Sequence, residues 1–527
     1  MIRPYKCLAA LLAALMLSGC ANSQPTTVNE PISTEPAATQ PVTEPEVLAP
    51  SGVLPVIDIN TLNTDSLDFV TEPVAPHVSE AIASWTPGYI IPPAPQYEDC
   101  SVSMTGADGN TILGGADAQV KVRGNWTTVY NKKPLRIKFT EKQCLGTDKD
   151  DCYKNWLLLA EYKDGSMLRN MASFNMAKSI LASDGLYCTD SQLVEVVING
   201  CYQGVYLLCD MQQTGSGRVD ITEPEKDYTG TDIGYFMEFD GYYTQEDDLH
   251  SFDITYADNA PLTPYDGSDP GKKTIRPIVE ETVGYTIKSD IYSQEQHDFI
   301  ANYMENVYRI MYSAAYDDAA YVFSDDFSSI QEATGITPRE AVEMAVNTDS
   351  LADMYIVSEL TCDADIYWSS FYMDVDFGAE GDKRLTFEAP WDFDSGLGNK
   401  DRCADGTGFY AGNIVPDVNG NGARINPWLN VMLHQDWFME IVRQKWNAAC
   451  ESGVFSETVN MIRSYPETYS DAFDMNYKRW NNLADNSEFA GELTKKAAAC
   501  HTHKEAADYL ADWLEARVAF LDSQWHE

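Results

Sequence analysis

The chain has 527 residues, 44% of them hydrophobic, and carries 81 acidic against 36 basic side chains for a formal net charge of −45. A chain of that length and composition builds one large core or two closely packed subdomains. The charge excludes a nucleic-acid backbone as a partner and leaves a solvated acidic surface, a basic protein or a metal ion.

In chain order, Arg3 and Lys6 precede an apolar run from Cys7 to Leu17, and Ser18-Gly19-Cys20 follows. A short positive region, an apolar region, small residues and a cysteine resemble a bacterial lipoprotein signal over residues 1–20, with Cys20 as the lipidated residue. Cleavage before Cys20 would leave a lipid anchor in the cell membrane, no spanning helix, and an extracytoplasmic chain. Residues 21–50 are rich in Thr, Pro, Glu, Gln and Ala; they bury no core and read as a disordered tether. No later run is long and apolar enough to cross a bilayer. The folded part is expected over 51–527, β-rich to about 290 and helical from about 291. Cys144 and Cys152 bracket an acidic loop and could bridge, and the seven scattered histidines complete no zinc site.

Apolar or alternating runs at Leu54–Ile59, Cys100–Met104, Ala118–Arg123 and Leu135–Phe139 predict strands. In the last of these, Leu135, Ile137 and Phe139 face one way while Arg136 and Lys138 face the other, so two cations project from one strand face. That face is either an edge kept soluble by its charge or a surface that meets a phosphate. Asn155–Ala160 reads as a short buried strand, and Ser166 as the N-cap of a helix from Met167 to Leu181. Leu193–Ile198, Asn199-Gly200 and Gly204–Leu208 form a hairpin with an Asn-Gly turn. Gly234–Asp240 is a further strand, and 241–285, polar and turn-rich, reads as a surface insertion. Glu295–Ala314 and Ile336–Leu360 carry apolar residues at helical spacing, and 425–527 is mainly helical, with Leu510, Trp513, Leu514, Val518 and Leu521 on one stripe.

Candidate chemistry lies in the second half. Asp363-Ala-Asp365 is followed by a hairpin, Ser369–Phe377 and Arg384–Glu388, and then by Trp391-Asp392-Phe393-Asp394 at a strand end. Carboxylates in apolar surroundings need a partner, and a divalent cation is one. An acid, a short hairpin and a second acid is the layout of a kinase catalytic loop and its metal-binding loop. A glycoside hydrolase also uses two acids, but acids two residues apart do not flank a sugar. Asp417-Val-Asn-Gly-Asn-Gly422 opens like a calcium loop, yet its twelfth position is Trp428 and not an acid, so it reads as a glycine-rich turn.

Several motifs together resemble the spore-coat protein H (CotH) kinase family, over roughly 52–525. They are Arg123-Gly124-Asn125; Lys133-Pro134-Leu-Arg136-Ile-Lys138-Phe139; Asn155-Trp156 with Asp164 to Asn170; Val194 to Gly200 with Gly204 to Leu208; Gly234 to Asp240; Asp363 to Tyr372; and Trp391 to Asp394. The resemblance implies an α+β, atypical protein-kinase-like fold with a β-rich N-terminal lobe and a mainly helical C-terminal lobe. It implies ATP and Mg²⁺ as cofactors and phosphoryl transfer to serine or threonine of a protein substrate. Carried over by position, Asp363 is the catalytic acid, Asp392 with Asp394 the metal site, and Lys138 a phosphate contact; Arg169 is a further candidate phosphate contact. Family members often carry an asparagine after the catalytic acid; Asp363 to Ser370 has none, so Asp365 or Ser369 substitutes or one metal suffices, with Asp365 the expected metal ligand. Asp210 stands where the family has glutamate, and no glycine-rich phosphate loop is present. The alternative is a catalytically inactive surface binding or scaffold lipoprotein of the same fold.

Overall fold

The structure is a computed structural model that describes residues 48–526 apart from 147–151, 266–275, 279–282, 364, 401–404, 414 and 417–422. The segment expected to be a lipoprotein signal, with Cys20, most of the expected tether and the Asp417 turn lie outside the described residues.

Seven strands close into a barrel in the order β1-β2-β3-β4-β5-β7-β6. They are β1 (Val56–Thr61), β2 (Glu98–Thr105), β3 (Thr111–Val122), β4 (Leu135–Gln143), β5 (Tyr153–Leu159), β6 (Ser191–Ile198) and β7 (Cys201–Asp210). Neighbours are antiparallel except β1 and β6, whose parallel pairing closes the ring. Alternation decides what fills it: Leu135, Ile137 and Phe139 of β4 are buried inside, and Arg136 and Lys138 stand outside, as their spacing predicts. Asn199 and Gly200 both take positive φ, 49° and 72°, as a tight β6–β7 turn requires. Cys144 and Cys152 form a disulfide.

A second sheet has the order β14-β13-β8-β10-β9. It comprises β8 (Gly234–Asp240), β9 (Ser251–Phe252), β10 (Gly284–Ile287), β13 (Phe371–Asp376) and β14 (Thr386–Phe387); β11 (Tyr321–Phe323) and β12 (Ile330–Glu332) pair separately. One face of this sheet carries Tyr235, Met237, Phe239, Phe371 and Met373, all buried against the helices. The other carries Glu238, Asp240, Tyr372, Asp374 and, just past β14, Glu388.

Three expectations need correction. The segment 241–285 is no mere surface insertion: β9 and β10 extend the sheet, and Phe252, Ile254, Tyr256 and Leu262 are buried. Its aromatics follow no periodic pattern, so their burial left no signal. The span Ile336–Leu360 is two helices, Pro338–Ala345 and Thr348–Thr361, broken where Asn347 donates its N–H to Leu385 O at 2.9 Å and caps the second helix. The helix Arg169–Leu181 is not capped by Ser166. The Asp164 carboxylate instead accepts the backbone N–H groups of Ser166, Leu168 and Arg169, at 2.8–3.0 Å. The C-terminal region is helical as expected, and four of the five stripe residues, Leu510, Trp513, Leu514 and Leu521, are buried. The molecule thus combines sheets and helices, with the barrel in its N-terminal half.

Candidate active site

Two loops meet at the site. The helix Thr348–Thr361 ends on Cys362 in a left-handed conformation, φ 46°, which turns Asp363 off the helix end. Asp363 donates its N–H to Ser358 O at 3.1 Å, and Asp365 donates its own to Asp363 Oδ1 at 3.0 Å. The second loop follows β14. Trp391-Asp-Phe-Asp lies beyond the strand and not at its end, with Asp392 at φ 70°. Its alternation nevertheless survives. Trp391 and Phe393 are buried against Phe174, ring centroids 5.4 and 5.8 Å away, while Asp392 and Asp394 are half-buried. Asn170 accepts the Phe393 N–H at 2.8 Å and donates to Glu161 Oε1 at 2.9 Å, tying this loop to the helix Arg169–Leu181.

The loops are pinned to each other where Leu397 donates its N–H to Thr361 O at 2.7 Å. A Cβ on Gly396 would stand 2.8 Å from Thr361 O, so glycine is what permits the approach. Non-glycine residues with positive φ gather here: Cys362, Ser370, Ala389, Asp392 and Leu397. Each such conformation costs on the order of 1–2 kcal/mol, and such conformations cluster at functional sites.

The acids interact. Burial pushes Asp392 up to about 7, helped by the charges of Asp394 and Asp365 and opposed by Arg123 and Lys163. Asp363 is held well above the ordinary carboxylate range by burial, then by Asp365, Asp392 and Asp394, against the Asp365 N–H. The fold therefore brings Asp363, Asp365, Asp392 and Asp394 into one electrostatic neighbourhood. Among the described residues, no three His, Cys, Asp or Glu side chains are arranged to hold a metal by themselves. Mg²⁺ does not need that, because it is commonly bound through one or two carboxylates, its waters and substrate phosphate oxygens. The charges of Asp365 and Asp394 that raise Asp363 and Asp392 fit such an ion, since a cation relieves that repulsion.

The cations are distributed differently from the sequence expectation. Arg169 is buried at 1% exposure, paired with the Asp164 carboxylate, and its Nε reaches Leu397 O at 3.4 Å. It braces the loop from beneath, because the carboxylate that caps its helix also accepts Nη1 of its guanidinium. Lys138 is exposed on the outer face of β4, opposite Gln119. Two cations lie closer to the acids. Buried Lys163 donates to Ser395 Oγ at 2.6 Å and stands 3.5 Å from Asp394 Oδ1. Burial pushes its ammonium pKa down, but Asp394, Tyr130, Glu492 and Asp365 outweigh this and hold it above the lysine range. Arg123, just past β3, lies over the Trp391 ring with its guanidinium carbon 5.9 Å from the centroid.

Lys163 had no sequence signal, since a lysine in a loop after a strand is usually solvated. Arg123 lay inside a recognisable Arg-Gly-Asn motif, but its role depends on what packs opposite. Asp210 is buried at the end of β7, where it accepts from Tyr187 OH at 2.6 Å and from Asp190 N at 3.1 Å, with Arg218 Nε 3.5 Å away.

Among known proteins, the family model described as CotH kinase protein matches residues 120–521, which include every residue of both loops. No curated protein matches the chain. With most of its length matched, and with the two acid loops inside the match, the chain belongs to the CotH kinase family.

Proposed function

We propose that this chain is an ATP- and Mg²⁺-dependent protein kinase that phosphorylates serine or threonine of a protein substrate, lipid-anchored through Cys20 at the outer face of a bacterial cell membrane. The observation that carries the reading is the convergence of Asp363 with Asp392 and Asp394 on two loops pinned together, within a chain of the CotH kinase family. Phosphoryl transfer asks a protein mainly for position and charge neutralisation. Asp392, with Asp394 or Asp365, would hold the metal, and Asp363 would orient the substrate hydroxyl and take its proton. Bound Mg²⁺ supplies charge neutralisation at the phosphates. The Asp365 N–H, bonded to Asp363 Oδ1, holds that carboxylate in place.

Binding of ATP by the full chain in the presence and absence of Mg²⁺, followed by labelled phosphate transfer, tests this. Asp392→Ala should abolish Mg²⁺-dependent binding and Asp363→Ala should abolish transfer while binding persists; a parent chain that binds no Mg²⁺-ATP sinks the proposal. A second reading, a binding or scaffold lipoprotein without catalysis, is favoured by two features. Lys163 already approaches Asp394, and no asparagine lies between Asp363 and Ser370 to supply a second metal ligand. It predicts no thermal shift with Mg²⁺-ATP.

A further inference from the structure

The chain has few cations, and most of those near the acid loops are occupied. Lys132 is buried and donates to Ala160 O at 2.9 Å and to Asn476 Oδ1 at 3.1 Å; Lys133 is buried against Thr128 O. Lys163 serves Ser395 and Asp394, and Arg169 serves Asp164. Arg136 gives its Nε and Nη2 to Asn155 Oδ1 at 3.1 and 2.7 Å.

Arg123 is the exception. It is half-buried, lies over Trp391 at 5.9 Å, the residue beside Asp392, and its side chain makes no hydrogen bond or ion pair with any described residue. Its backbone continues the β3–β4 ladder, donating to Pro134 O at 3.0 Å, so its position is fixed although its guanidinium is free. Lys121 stands two residues back on the same outer face, directly opposite Arg136. These like charges repel: burial, then Arg136, Arg123 and Lys138, lower the Lys121 pKa. A row of cations on one barrel face, ending beside a metal-type acid pair, calls for an anion that spans from one to the other.

Resting on the kinase reading above, the geometry points to Arg123, in place of Lys138 or Arg169, as the residue that grips the terminal phosphates of the nucleoside triphosphate, with Lys121 behind it. A guanidinium offers two parallel N–H donors to a phosphate, and its place over the Trp391 ring, 5.9 Å from the centroid, sets it beside Asp392. The metal loop and the phosphate grip are thereby coupled through one tryptophan: Trp391 orients Arg123 by its face and Asp392 by its backbone.

The test is calorimetric binding of ATP, ADP and AMP with Mg²⁺ to the full chain and to its R123Q, R123K and K138Q variants, with ligand-free melting as the check on folding. Loss of a charge-assisted contact predicts roughly a tenfold or larger fall in ATP affinity for R123Q. AMP affinity should be unchanged, R123K should recover only part of the loss, and K138Q should bind ATP almost as the parent does. R123Q gives up the contact with the Trp391 ring and the opposing charge near Asp392 but no side-chain hydrogen bond, so ligand-free melting should move little; if R123Q fails to fold, R123K carries the comparison. A parent that binds Mg²⁺-ATP together with an R123Q or R123K variant that binds it equally well overturns the role of Arg123 alone. A parent that binds no Mg²⁺-ATP overturns the kinase reading and this one with it.

Discussion

Glu388 offers a sharp test of how the fold treats buried acid. It follows β14 and faces Asp374 of β13 diagonally across the hairpin, on the polar side of the second sheet; the two are 6% exposed each. Its carboxylate accepts the Tyr187 N–H. Burial pushes Glu388 up from 4.5 to about 7, against the hydrogen bonds from Tyr187 and Asp374. Asp374 is raised as well, by burial and then by Glu388. A carboxyl whose folded pKa lies above its unfolded value is stabilising only while protonated. The unfolded chain releases this proton above about pH 4.5 and the folded chain only near pH 7, so stability falls as pH rises through that window. At 1.36 kcal/mol per tenfold change in proton affinity, the rise from 4.5 to about 7 sets an upper value of about 3 kcal/mol. Glu388→Gln keeps an acceptor for Tyr187 and removes the titration. For a chain of this size, at about 2 cal/mol/K of unfolding entropy per residue, the variant should melt about 3 °C above the parent at pH 8 and level with it at pH 4.5. The assay is paired thermal denaturation at both pH values, where titrating groups other than Asp374, which Glu388 itself raises, cancel in the difference. A parent–variant difference that is the same at pH 4.5 and pH 8 would refute the reasoning.

Two further predictions concern how the loops are held. Gly396→Ala drives a methyl to 2.8 Å from Thr361 O, a backbone atom with no rotamer to relieve the clash, and should cost about 1–3 kcal/mol and weaken Mg²⁺-dependent nucleotide binding; melting and binding equal to the parent's would show that the loops need not approach. Arg517 and Glu359 form a fully buried pair at 2.6 Å, and Glu359 also accepts the N–H groups of Tyr410 and Ala411 while Arg517 reaches Gly406 O at 3.0 Å. Arg517→Met strands a buried carboxylate and should cost about 3–5 kcal/mol in chemical denaturation; a loss below about 1 kcal/mol would mean the chain tolerates a lone buried charge there.

The sequence determined a good deal. Alternation at Leu135–Phe139 placed Arg136 and Lys138 outside the barrel, Asn199-Gly200 fixed the β6–β7 turn, and Gly234–Asp240 is a strand with the bounds its pattern gives. The spacing of Asp363, the hairpin and Asp392 was legible because a strand pair and its turn occupy a fixed length of chain. These are local facts, set by periodicity and by the conformations that single residues allow.

Only the tertiary structure decided which cation serves which acid. Arg169 and Arg123 are alike as letters, yet Asp164 claims the first and Trp391 merely stacks on the second. Lys163 reaches Asp394 across 231 positions of sequence, and Glu359 meets Arg517 across 158. A charge's partner depends on distance and burial in the folded chain, and neither is written in the spacing of residues so far apart. The division is physical: short-range sterics and hydrophobic period act along the chain and leave a pattern in it, whereas electrostatic pairing acts through space and takes shape only when the barrel and the helices come together.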